Sequence, residues 1–363
     1  MRLFSIWKKP LNDRKMFMYE QEPLQNNEFE QAEGEKVFKT FLPFGFTPKT
    51  FEEKRQIRKN ANRIGASFHI LTAISSFWAQ IFYLFMSKIG IESARAYEII
   101  SEPAILTMVQ ICLSSLIFTL PFILIVKING LRVDRFVSIK PVEKGLFLAL
   151  FFMGLGFCAF ANIATSVAGS IFESFGFNYD VDFGENPKGI FGFLLSFIAT
   201  AIVPALVEEF AMRGIVLGML RKFGDGFAIV TSAILFGLLH GNFQQMPFAF
   251  LVGLILGFIV VKTNSLLIAI AVHSANNFVS VVFDYLEASV LVENMIYIVY
   301  LLVCLLLGIV GIFLYTKQEG NFKLEKAETE AKESSKYKWF FASPVIIVFT
   351  VLTVIEAITF FFK

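Results

Sequence analysis

Cysteine and histidine are both scarce, at three residues each in a chain of 363. Cys112, Cys158 and Cys304 each fall in a different apolar run, where they read as small packing residues and supply neither a disulfide framework nor a cysteine zinc site. Charge is scarce as well. Only 17% of residues are charged against 56% hydrophobic, and the mean hydropathy of +0.65 lies far outside the range of a soluble globular domain. The net charge of +2 points to no nucleic acid and no acidic partner, because the basic residues are needed as topology signals. The opening MRLFSIWKKPLNDRK lacks the short apolar core of a cleavable signal peptide, so the first membrane segment is expected to be internal. Neither a repeat of fixed period nor a sizeable soluble domain is visible.

What the chain does contain is long apolar runs, at about 66–87, 104–126, 145–170, 189–220, 226–240, 247–261, 265–283, 294–315 and 339–362. Their length and composition predict an all-α polytopic membrane bundle of about nine transmembrane helices. A polar segment, 1–65, precedes them and ends in Lys54, Arg55, Arg58, Lys59 and Arg63, a cluster that holds the amino terminus in the cytoplasm by the positive-inside rule. A peripheral helix on anionic lipid is the second reading of that cluster. Basic residues fill the second connection (Lys127, Arg132, Arg135, Lys140, Lys144), and acidic ones the third (Glu173, Asp180, Asp182, Glu185). This alternation predicts a multi-pass protein of the cell membrane. Organisation along the chain reads as accessory helices over 66–188, an informative core over 189–285, a further helix over 286–316, a charged linker over 317–338 and a final helix, an appendage, over 339–363.

Polar residues inside the apolar runs are few, and those of the core are regularly spaced. PALVEEFAMRG places Glu208, Glu209 and Arg213 in a strongly apolar stretch, where a bare carboxylate costs roughly 2.5 to 3.5 kcal/mol even on lenient insertion scales. Glu209 and Arg213, four apart, share one helix face and can neutralise each other. Glu208, turned by about 100°, has no such partner. FGLLH carries Phe236 and His240 at the same spacing, and HSANN carries His273 and Asn277. Counted from the turns at 223–225 and 262–264 with a rise of about 1.5 Å per residue, Glu208 and His240 lie about 21 Å deep, His273 about 14 Å and Asn277 about 20 Å. These groups can form one polar layer near mid-bilayer. Pro204 leaves residues 189–203 free to bend away from the helix that follows. Gly214 with Gly218, and Gly253 with Gly257, form small-residue faces suited to close helix packing.

E-E-x-x-x-R, F-x-x-x-H and H-x-x-x-N, in that order over residues 208–277, resemble the three motifs of the CPBP family, the intramembrane proteases related to the type II CAAX prenyl endopeptidase and to bacteriocin-processing and immunity (Abi) proteins. The resemblance covers roughly 189–285, and no motif position departs from the family pattern. Each motif alone is common; all three in order, on membrane helices at matching depth, are specific. The resemblance implies hydrolysis of a peptide bond by activated water. It makes Glu208 the general base, His240 its assistant in orienting and deprotonating the water, His273 and Asn277 the oxyanion donors, and Glu209 with Arg213 the ion pair that supports the site. An ionisable carboxylate without an ion-pair partner and fixed donors in a water-poor site suit that division.

A zinc shell of Glu208, His240 and His273 is the competing mechanism within the same family, which is also described as metalloprotease. The compact H-E-x-x-H arrangement is missing and asparagine is a poor zinc ligand, so glutamate-activated water is preferred and no cofactor is firmly implied. The expected partners are the lipid bilayer and a peptide or membrane-protein substrate, and nothing in the residues selects whether that substrate is prenylated. A non-catalytic membrane scaffold or immunity protein of the same fold is the alternative function, and a transporter using Glu and His as a proton relay ranks third. His69 reads as an interhelical hydrogen-bonding residue. Glu356 is an intramembrane carboxylate with no motif around it and is left outside the site.

Overall fold

The computed structural model describes residues 47–92, 95, 98–99, 101–176, 185–319 and 322–359. Most of the amino-terminal polar segment, Asp180 and Asp182 of the acidic connection, and Lys363 lie outside these residues. The chain divides into two units, Met1–Glu52, of which only 47–52 are described, and Glu53–Lys363, which holds the rest.

Every regular element among the described residues is helical. We number them α1 (Pro48–Lys88), α2 (Pro103–Ile128), α3 (Lys144–Ser174), α4 (Gly189–Phe223), α5 (Asp225–Leu239), α6 (Met246–Thr263), α7 (Leu267–Asp284), α8 (Val290–Glu319), α9 (Glu333–Phe341) and α10 (Pro344–Thr359). Local chemistry sets several ends. α2 begins with Pro103 behind Glu102, whose carboxylate accepts the Ile105 N–H at 3.0 Å. α6 stops at Asn264, which takes the left-handed conformation (φ 49°) that asparagine tolerates. Arg221 joins that stop to the α4–α5 turn, donating to Asp225 at 3.1 Å and to the Asn264 side chain at 3.2 Å.

Among the described residues six helices are long and apolar enough to cross a membrane: α2, α3, α4, α6, α7 and α8. The expected nine are not confirmed. The run at 226–240 forms α5, whose 15 residues rise only about 22 Å, short of a hydrocarbon core of about 30 Å. The run at 339–362 belongs to α9 and α10, which meet at 73° as a broken span or re-entrant loop and bring the total to seven if counted as one. The expected first span lies within α1, which is not one of the six, and its side chains at 79 and 81–83 are outside the described residues.

Two hydrophobic clusters frame the site. The first gathers Ile57, Ile64 and Phe68 of α1, Phe122 of α2, Met212 and Ile215 of α4, Phe227 and Phe236 of α5, and Phe340, Ile346 and Phe349 of α9 and α10. The second joins Leu150 of α3, Leu256 of α6, Val272 of α7 and Tyr315 of α8. The final helix is therefore part of the core and not an appendage. The charged linker is tied down too: Glu53 accepts the backbone N–H groups of Glu330 and Ala331 at 3.0 and 2.9 Å, and the buried Lys336 donates to the Phe223 carbonyl at 2.6 Å. His69 lies 3.0 Å from the Val345 carbonyl, an interhelical contact. All three cysteines are free thiols, with Cys112 exposed and the other two buried.

The glycine faces divide. A Cβ on Gly253 would meet the Ala233 backbone at 3.0 Å, so α5 and α6 do pack closely there. Gly214 and Gly218 instead receive the side chains of Val137 and Phe136, residues of the connection between α2 and α3.

Candidate active site

α4 is not one regular helix. Residues Phe197–Ile202 and Phe210–Val216 are wound as π-helix on either side of the α-helical Val203–Glu209 segment that ends in the two glutamates. Such wider turns recur at functional sites. Pro204 has an effect beyond a bend, because it has no N–H to offer the Thr200 carbonyl four residues earlier. Asn277 of α7 donates its Nδ2 to that carbonyl at 2.9 Å. An amide of α7 thus bonds to the backbone of α4 in the turn just before Pro204.

Glu209 lies at the centre of the arrangement and is fully buried. Its Oε1 accepts from Arg213 Nη1 at 2.9 Å and faces His273 Nδ1 at 2.9 Å. A carboxylate paired with a guanidinium can only accept, so His273 carries a proton on Nδ1. The other ring nitrogen, Nε2, points to Glu208 with 4.0 Å to Oε2, a gap that one water can bridge. Glu209 is therefore more than a partner for Arg213: it orients the histidine. Glu209 Oε2 and Arg213 Nη2 are buried without a hydrogen-bond partner.

Phe236, itself buried, is the common wall. The Arg213 guanidinium carbon sits 4.2 Å from its ring centroid, and the His240 and His273 rings meet it edge-on at 5.0 and 6.2 Å. His240 follows the last residue of α5, with Nδ1 2.9 Å from the Phe236 carbonyl. A carbonyl only accepts, so Nδ1–H donates there, and in the neutral ring Nε2 then carries the lone pair. Glu208, at 14% side-chain exposure, stays reachable, whereas Glu209 at 0% does not.

The structure thus joins Glu209, Arg213 and His273 directly, places Glu208 4.0 Å from His273 and sets His240 against the same aromatic ring. It engages Asn277 with Thr200, so one of its two amide hydrogens is already used. Two supporting residues went unrecognised in the sequence. Asn276, buried, donates to Asn277 Oδ1 at 3.2 Å and orients that amide. Asn242, also buried, donates to the His240 carbonyl at 2.8 Å and to Gln245 Oε1 at 2.9 Å, while its Oδ1 accepts the Gln245 N–H at 2.8 Å. An Asn four residues before the start of α6, with Pro247 just inside the helix, was the available signal for the second. Among the described residues no three His, Cys, Asp or Glu side chains converge so as to hold a metal ion, so the zinc shell of Glu208, His240 and His273 is not assembled by this geometry.

The fold and the site define a polytopic helical membrane protein with a charged, histidine-containing layer between its helices. Residues 190–279 match the model of the Rce1-like type II CAAX prenyl endopeptidase family. The chain is also 28% identical over 155 residues to a Bacillus subtilis (strain 168) protein named "Putative membrane peptidase YdiL", covering 41% of this chain. It spans 57% of the length of that curated relative. No solved structure matches. The segment with the three motifs is thus similar to the CPBP/CAAX protease family, over about a quarter of the chain by the family model.

Proposed function

We propose that this protein is an intramembrane endopeptidase in which Glu208 activates a water molecule for attack on a peptide carbonyl. The observation that carries this reading is the placement of Glu208 Oε2 4.0 Å from His273 Nε2 in a layer fixed by the buried Glu209–Arg213 pair. Water bridging that gap would be held between a base and a ring nitrogen. His240, with its lone pair on Nε2, is the second group able to orient the nucleophile and take its proton. His273 and Asn277 stabilise the oxyanion: the free amide hydrogen of Asn277 is available for it, whereas His273 Nε2 can donate only when the ring carries both protons, since Nδ1–H is committed to Glu209.

The substrate is a peptide or membrane protein that reaches the layer from the cytoplasmic side or laterally from lipid, in a cell membrane with the amino terminus cytoplasmic. Purified protein in detergent is expected to cleave a fluorogenic peptide reporter, and Glu208→Gln is expected to lower kcat by about 10²–10⁴-fold, the range for losing a positioned general base. Equal turnover by wild type and by both Glu208→Gln and His240→Ala would overturn the reading in favour of a non-catalytic scaffold.

A further inference from the structure

Glu356 is the one charged residue of α10, PVIIVFTVLTVIEAIT, and its placement is costly in an apolar helix unless something compensates it. No described residue forms an ion pair with it, and its side chain is exposed. Its carboxylate lies over the turn that carries the second motif. A Cβ on Gly241 would stand 3.2 Å from Glu356 Oε2 and 3.6 Å from Oε1. Gly241 directly follows His240 and has φ +64°, so a side chain there is disfavoured twice over, by backbone conformation and by the carboxylate above it. Behind it the turn is rigid, with Asn242 pinning the His240 carbonyl.

The element that delivers Glu356 is firmly anchored. Lys336 holds α9 to the α4–α5 turn, Ser343 donates to the Asn62 side chain at 2.5 Å, and Phe349 stacks on Phe68 with ring centroids 4.7 Å apart. A carboxylate held beside the His240 turn, exposed and without an ion-pair partner among the described residues, has the makings of one wall of a substrate subsite.

The geometry points to Glu356 as a specificity-determining residue that receives a cationic side chain, lysine or arginine, of the peptide substrate next to the His240 turn. This rests on the active site assigned above. Glu356 takes no part in activating water. Its negative charge replaces the solvent that a cationic side chain loses on entering a water-poor site, and the cation offsets a carboxylate that otherwise stands unpaired.

The test separates binding from cleavage. Fluorescein-labelled apolar peptides identical but for Lys, Gln or Glu, scanned through each position, are titrated into detergent-solubilised Glu208→Gln protein and followed by polarisation. At one position the Lys peptide is expected to bind at least tenfold tighter than its Gln counterpart, about 1.4 kcal/mol, and the Glu peptide weakest. Adding the isosteric Glu356→Gln should abolish the Lys preference, and Glu356→Lys should transfer it to the Glu peptide. No Lys preference at any position, or one that persists in Glu356→Gln, overturns the proposal. The same peptides then serve in cleavage assays on protein with Glu208 intact. Charge-selective binding without Glu208-dependent cleavage would refute the endopeptidase and keep the subsite; cleavage that ignores residue 356 would do the reverse.

Discussion

Arg213→Met offers the most quantitative check on how the site is built. Arg213 and Glu209 are 1% and 0% exposed at 2.9 Å, and removing one member of such a buried pair costs about 3–5 kcal/mol because the other charge remains without compensation. Two further structural facts adjust that figure. Glu209 keeps His273 as a partner after the substitution, which favours the lower end of the range; the lost contact with the Phe236 ring, worth up to about 2 kcal/mol when desolvated, acts in the opposite sense. A destabilisation of about 4 kcal/mol is therefore expected for Arg213→Met. Glu209→Gln strands a buried guanidinium and should cost about 3 kcal/mol. The double variant contains no stranded charge, so its loss should fall well short of the sum, by about 2–3 kcal/mol of coupling. Reversible unfolding in mixed micelles, with SDS as titrant and circular dichroism as readout, measures all four species. Additivity within about 0.5 kcal/mol would refute the claim that the two side chains act as one unit. The double variant should remain inactive whatever its stability, since His273 has lost the ionised acceptor that orients it.

Three other outcomes follow from the same geometry. Asn277→Leu should lower kcat by about 10²–10³-fold with little change in KM, as expected for the loss of an oxyanion donor; an unchanged kcat in steady-state cleavage would remove Asn277 from that role. Asn242→Ala leaves the His240 carbonyl and the Gln245 N–H unpaired in a buried turn and should cost about 1–3 kcal/mol in the same unfolding assay, with Asn242→Asp recovering part of it through the retained Oδ1 acceptor. Metal analysis of protein purified without added zinc should show no stoichiometric ion, and activity should survive a chelator. A zinc content near one per chain, lost in His240→Ala, would replace glutamate-activated water by a metal mechanism.

The Glu209–Arg213 contact is legible in the sequence because it is local. Glu209 and Arg213 lie four apart, and helical geometry alone places them together. The proton on His273 Nδ1, by contrast, depends on a carboxylate 64 positions away, so the role of Glu209 as an orienter could not be read from its own neighbourhood. Depth arithmetic placed Glu208, His240 and Asn277 level by assuming uniform α-helix, and it did not anticipate the two π-helical stretches of α4. The same limit explains the helix count. Hydropathy measures how apolar a run is, and α5 is apolar enough; its end at Leu239, followed by the Gly241 turn, makes it too short to cross.

The sequence by itself determined that this is a helical membrane protein, where its polar layer lies along the chain, and which residues could carry chemistry there. Apolar content, charge placement and the i,i+4 rule act over a few residues and leave their mark in the order of the chain. Only the tertiary structure decided that His273 turns its Nδ1 to Glu209 and its Nε2 to Glu208, that the Thr200 carbonyl receives Asn277, and that Glu356 closes over Gly241. Each of these joins residues distant along the chain. Which distant partners meet is settled by the packing of whole helices, a property that no local pattern encodes.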